Sequence, residues 1–175
     1  MKQTPTVILI AAMALCCSAS LLAQQTREEA IKGMRKVLPS EMDPTYTQPA
    51  PFAQKLVDQA LERHPEVLLL AIHAQPPGHQ NLIIASNFGR IGKIGDEDDM
   101  RCIHTGKPNL EVAGVHFEAE LALKDAAGQT IGAVGVVFNY KPGDDKQPLI
   151  KVANEVAHEM QQELPEASRL FAPAN

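Results

Sequence analysis

Residues 115–140 read VHFEAELALKDAAGQTIGAVGVVFNY. In the first ten, Val115, Phe117, Ala119, Leu121 and Leu123 alternate with His116, Glu118, Glu120, Ala122 and Lys124. Successive strand side chains point to opposite faces, so this period of two predicts a strand with one apolar and one largely polar face. Asp125 to Gly128 reads as a turn, and Thr130 to Tyr140 as a second strand, buried and carrying two small glycines. Two strands joined this tightly must run antiparallel.

The same grammar extends outward. Val67 to Ala74 (VLLLAIHA) and Asn81 to Ser86 (NLIIAS) are short apolar β-type runs around the turn Gln75 to Gly78, a further hairpin. Between the hairpins lies a loop punctuated by Gly89, Gly92 and Gly95. Asp96 then caps a short helix to about Thr105, with Glu97, Asp98 and Asp99 favourable at its positive end. Gly106 and Pro108 close it. Upstream, Thr26 and Glu29 match a capping box for a helix to Leu38. Ser40 to Pro51 is a proline-rich linker or ordered loop, and Phe52 to His64 an amphipathic helix stopped by Pro65. Residues 148–164 form a closing amphipathic helix, and the tail from Pro165 reads as frayed. Antiparallel strand pairs with segregated helices make the fold class α+β rather than a parallel βαβ fold.

The 175 residues are 45% hydrophobic and 21% charged, with three Cys and a formal net charge of −5. Residues 1–23 carry two of those Cys, one Lys and no carboxylate. Lys2, the eleven-residue apolar run Val7 to Cys17 and the small-residue exit SASLLAQQ are the three parts of a secretory signal peptide. The run is too short to span a membrane, which needs about 20 apolar residues. Leu15 and Cys16 stand where a lipidated Cys wants a small predecessor, which disfavours a lipoprotein. The expected organisation is a signal peptide over 1–23, an N-terminal helix and linker over 24–48, a domain over 49–165 and a tail over 166–175. The expected location is secreted or periplasmic, with no membrane association after cleavage. The remaining chain keeps only Cys102, so it cannot close an internal disulfide and must rely on an ordinary core. Its acidity argues against nucleic acid as a partner.

A resemblance rests on the second hairpin. Within LKDAAGQTIGAV, residues 123–134, Leu123, Asp125, Gly128, Ile131, Gly132 and Ala133 resemble the L-x-D-x-x-G-x-x-I-G-A hairpin of PAS, GAF and Cache sensor domains. The order of elements agrees over roughly residues 50–164. The resemblance implies an antiparallel sheet of about five strands flanked by helices, with a small-molecule pocket against one sheet face. Signal-transducing sensors normally add a transmembrane helix and a kinase, cyclase or chemotaxis module; the expectation here is the sensing fold alone, exported. One branch of GAF domains reduces free methionine sulfoxide with several cysteines, and a single cysteine weakens that reading, so no enzyme activity is expected.

The candidate ligand-binding residues are His73, Asn87, Arg90, His116, Glu118 and Glu120. His116, Glu118 and Glu120 share the polar face of the alternating strand, and sheet neighbours could bring His73 to them. A metal or haem site would need two or more ligands from this set, but no HxxxH, HExxH or CxxC spacing fixes one, so neither metal nor cofactor is assigned. The glycine loop, with Arg90 and Lys93, opens onto a helix start that could hold an anion; it lacks the P-loop spacing, and the acidic residues that follow would repel phosphate. Cys102 and His104 are two apart on a helix and point about 200° apart, so they form no catalytic pair. The reading is an exported small-molecule-binding protein without catalysis. The alternative is an interaction module that forms a homodimer or docks on a protein partner through its N-terminal helices, and a metal or haem protein is the third.

Overall fold

The structure, a computed structural model, describes residues 27–174. The expected signal peptide lies outside the described residues. No helix among the described residues is long and apolar enough to cross a membrane. The chain divides into two compact units, one ending at Met34 and one beginning at Arg35. In the first, residues 27–33 are helical (α1). This helix stops short of the expected Leu38, and Pro39–Glu41 instead form a 3-10 turn in the second unit.

The second unit holds α2 (Pro51–Arg63), β1 (Val67–Ala74), β2 (Leu82–Ser86), α3 (Glu97–Thr105), β3 (Asn109–Ala113), β4 (His116–Lys124), β5 (Thr130–Asn139) and α4 (Gln147–Gln162). The strands form one five-stranded antiparallel sheet in the order β2-β1-β5-β4-β3. The α+β class and sheet size thus agree with the sequence reading. β3 is an addition to it: five residues at the sheet edge, largely exposed, between Pro108 and Gly114. Pairing with β4 makes it a strand; it buries too little to announce itself.

Alternation assigns the two sheet faces. Phe117, Ala119, Leu121 and Leu123 of β4, Val134, Val136 and Phe138 of β5, and Leu70, Ile72 and Ala74 of β1 face the core. On that face lie α2, through Phe52, Ala53, Leu56, Val57, Ala60 and Leu61, and α4, through Ala153, Val156 and Met160. The apolar stripe of α2 is therefore occupied by its own sheet rather than free for a partner.

The expected frayed tail is a correction. Ala167–Phe171 form a 3-10 turn whose Leu170 is fully buried in the same core, and Arg169 stands 3.8 Å over the Phe52 ring. Periodicity does not find this turn, because one buried side chain on a single turn makes no pattern. Leu170→Ala is expected to cost about 2–3 kcal/mol, as for a buried leucine elsewhere. Urea unfolding of the two proteins checks this, and truncation at Pro165 should cost at least as much.

The loop before α2 is ordered. Met42 bridges to Lys93, the Asp43 amide donates to the Gly92 carbonyl (2.8 Å), and the Gly92 amide donates to the Ile83 carbonyl (2.9 Å). Gly92 has φ +86°, and a Cβ there would collide with the Tyr46 carbonyl. His79 joins the same knot, with Nδ1 at 2.9 Å from Asp43 Oδ2 and its ring edge-on to Tyr46. The glycine loop is thus a clasp between β2 and residues 39–46.

Candidate functional site

The opposite face of the sheet is partly covered by α3, which lies across β4 and β5. The register explains how it gets close. Facing α3 on the central strands are Ala71 of β1, Ala133 and Gly135 of β5 and Ala122 of β4. A sheet surface this low leaves room for polar side chains beneath a helix. α3 starts with a true cap: the Asp96 carboxylate accepts from the Asp98 and Asp99 amides (3.2 and 3.3 Å), and Asp99 Oδ2 accepts from the Asp96 amide (2.7 Å). Its buried residues are Asp99 and Cys102, three apart and so on one face.

Asp99 joins two strands that do not touch each other. His73 on β1 and Glu120 on β4 are separated by β5, about 10 Å across the sheet. Asp99 descends into that gap. Its Oδ2 lies 3.3 Å from His73 Nδ1, and it shares a hydrogen bond with the Glu120 carboxyl. All three residues are buried, with His73 7%, Asp99 6% and Glu120 5% exposed. Two atoms in the cluster lack a hydrogen-bond partner: His73 Nδ1, whose approach to Asp99 is close but misaligned, and Glu120 Oε1.

Electrostatics follow from this burial. Desolvation, then the hydrogen bond with Asp99 and its charge, then Glu118 and Asp96, push Glu120 up to about 10, so it is a neutral acid at physiological pH. Desolvation also lowers the His73 pKa, against the pull of Asp99. A neutral imidazole 3.3 Å from a carboxylate is a contact, not an ion pair. Glu118, exposed on the same face, is raised by its crowded surroundings and by Asp99, Glu111 and Asp96. The Cys102 thiol is pushed up to about 11 by burial and by Glu120; its Sγ lies 3.5 Å from the Glu120 carbonyl. Such a thiol is a poor nucleophile.

The sequence-derived residues separate into two groups. His73 and Glu120 meet through Asp99, and Glu118 stands beside them on β4. His116 does not join: it pairs with Asn139 whereas His73 pairs with Ala133, six residues along β5 and about 20 Å away. Asn87 serves the backbone, its Oδ1 accepting from the Leu70 amide (2.9 Å) and its Nδ2 donating to the Leu68 carbonyl (2.8 Å). Asn87→Ala is expected to cost about 1–2 kcal/mol in stability by denaturant titration, with ligand binding intact. Arg90 donates to the Arg35 carbonyl and stacks on Phe88, also a structural role. Asp99 escapes notice in the sequence as a site residue because its capping duty already explains it. The signal is nonetheless there: three residues before a buried cysteine on one helix, it has to face inward with it. The capping carboxylates also occupy the amides of the α3 N-terminus, so that end offers no anion cradle.

A cavity of about 260 Å³ adjoins the cluster, lined by Arg35, Ser40, Glu41, Lys93, Ile94, Gly95 and Asp96. It is one hydrogen bond from the buried set, since Asp96 in its wall is bonded to Asp99. Its cations are held: Arg35 makes two bonds to Glu41 (2.6 and 2.8 Å), and Lys93 lies 3.3 Å from Asp96. Two other grooves lie elsewhere, one along α2 and one between β4 and α4.

No protein-family model and no curated protein matches the chain. Solved structures do. The GAF domain of A. aeolicus nlh2, determined in an inactive state, is 11% identical and aligns over 84% of this chain and 96% of its own, with a TM-score of 0.50. A GAF sensor protein from Burkholderia vietnamiensis is 12% identical over 86% of this chain and 92% of its own, with a TM-score of 0.49. The type II free methionine-R-sulfoxide reductase from Thermoplasma acidophilum is 13% identical over 63% of this chain and 90% of its own, with a TM-score of 0.43. At such identities the likeness is one of architecture: this chain has a GAF/PAS-like sensor fold, an α+β domain built on a five-stranded antiparallel sheet.

Proposed function

We propose that the protein is an exported, sensor-type domain that binds a small molecule between α3 and the sheet and does not transform it. The observation that carries this reading is the buried cluster of His73, Asp99 and Glu120, with two polar atoms, His73 Nδ1 and Glu120 Oε1, unpartnered under a short helix and beside a cavity. Buried polar atoms left unpartnered are destabilising, and a ligand that completes them recovers that free energy. Absence of catalysis is supported by the Cys102 thiol, buried and held protonated. Export is supported by the signal-like residues 1–23.

A pooled metabolite screen read by thermal shift tests the function. At least one compound should raise the melting temperature of the wild type and not of Asp99→Ala. A screen in which no compound of any charge class shifts the protein rejects the reading. The interaction-module alternative now rests on α1, since α2 is occupied by the core. Light scattering of the protein with and without residues 24–34 separates the two: an unchanged monomer with ligand binding intact leaves the sensor reading standing.

A further inference from the structure

We infer that the ligand presents a primary ammonium group, seated among Glu120, Asp99 and His73. This rests on the sensor reading above and adds the charge and bonding pattern of what is bound. One of the two unpartnered atoms, Glu120 Oε1, is an acceptor; the other, His73 Nδ1, faces Asp99 Oδ2 at 3.3 Å but out of line. Glu120 is more than nine-tenths buried, so what its Oε1 lacks is a donor. An ammonium group has three N–H donors and no acceptor.

The surroundings specify the charge. Asp96, Asp99, Glu111, Glu118 and Glu120 gather on or above this face; of the cations near it, Lys93 is paired with Asp96 and Arg101 with Asp98, and Lys124 stands at the end of β4. Glu111 of β3 sits directly opposite Glu118 of β4 in the ladder. Like charges in that position repel, and a cation between the strands and the helix relieves them. Glu111 and Glu118 are exposed while Asp99 is buried, so carboxylates run from solvent to the interior and draw in positive charge. Anions have no counterpart here, because the α3 N-terminal amides are filled by Asp96 and Asp99. Among the described residues no three His, Cys, Asp or Glu side chains are disposed to hold a metal ion. The cation therefore binds through N–H donors.

Isothermal titration of the purified protein with methyl- to hexylammonium ions, matched against the corresponding alcohols and carboxylates, tests this. At least one ammonium ion should bind about tenfold or more tighter than its alcohol and carboxylate partners. Glu120→Leu, which removes the Oε1 acceptor, and Glu118→Gln, which removes a charge, should each weaken it, the buried one by about tenfold to a hundredfold, with circular dichroism checking that both variants fold. A carboxylate or alcohol that binds as tightly at this face overturns the ammonium assignment and leaves the sensor reading intact. Affinity unchanged in Glu120→Leu overturns it too, as does binding of Zn²⁺ with no ammonium ion bound. Absence of binding by these probes and by every pooled metabolite removes the sensor reading itself.

Discussion

Gly132→Ala is expected to destabilise the protein by on the order of 4 kcal/mol, a large part of what a domain of this size has to lose. Gly132 sits mid-sheet on β5, paired with Ala74 on one side and Leu123 on the other. A Cβ at this position would fall far inside van der Waals contact with the His73 carbonyl, and 3.3 Å from the Ala74 Cβ. The first of these neighbours is backbone of a paired strand and cannot swing aside. Accommodating one methyl means separating β1 from β5, and those two strands hold the middle of the sheet. The glycine in the I-G-A part of the hairpin motif is thus explained by strand packing rather than by turn geometry. Circular dichroism and urea titration give the answer, and a protein as stable as wild type would show that the strands can part without cost. By contrast Gly128, in the turn before it, has φ +81° with open space around it, so substitution there meets only backbone preference.

Glu120→Gln should do the opposite at neutral and alkaline pH, raising stability by about 2 kcal/mol at about pH 8, or roughly 4–8 °C. The folded state holds the Glu120 proton to about pH 10, whereas an unfolded glutamate releases it near 4.5. Between those values the folded state binds more protons, so stability is full below about 4.5 and falls as pH rises toward 10. His73 has the reverse sign: its folded pKa is below 6.5, so its contribution is present above 6.5 and is lost as pH falls. Above about pH 6.5 only the falling slope remains, with Glu118 adding to it in the same direction. The Cys102 thiol, raised from 9.0 to about 11, contributes a further fall only above about pH 9. Asp99, Asp96, Glu111 and Lys93 are the other charges facing this pair. A glutamine amide in place of the Glu120 carboxyl keeps a donor for Asp99 while carrying no charge. Wild-type melting temperatures should therefore drop between about pH 6.5 and 9, and those of Glu120→Gln should drop much less. Parallel curves for the two proteins would mean that Glu120 is not the buried neutral acid described above.

The alternation of residues 115–124 places β4 and its two faces from sequence alone, because one face packs and the other does not. Asp96 marks the start of α3, because a helix needs its first amides satisfied. His73 and Glu120 belong to one cluster, but nothing in their spacing says that β5 enters between them or that Asp99 spans it. Those facts depend on strand order and on Ala133 and Gly135 being small enough to admit a helix. His116 falls outside the cluster for a related reason: one strand's polar face extends about 20 Å, farther than any single site. Asn87 and Arg90 carry polar groups that serve local backbone, a use that composition cannot distinguish from recognition.

The most direct measurement is the amide and side-chain NMR map of the protein titrated with the strongest compound from the pooled screen. Shifts concentrated on His73, Asp99, Cys102, Glu118, Glu120 and Gly135, together with loss of the pH dependence of the Glu120 carboxyl, are expected. Shifts confined to the α2 groove around Gln54 and Asp58, with the α3 face unmoved, would contradict the assignment of the site.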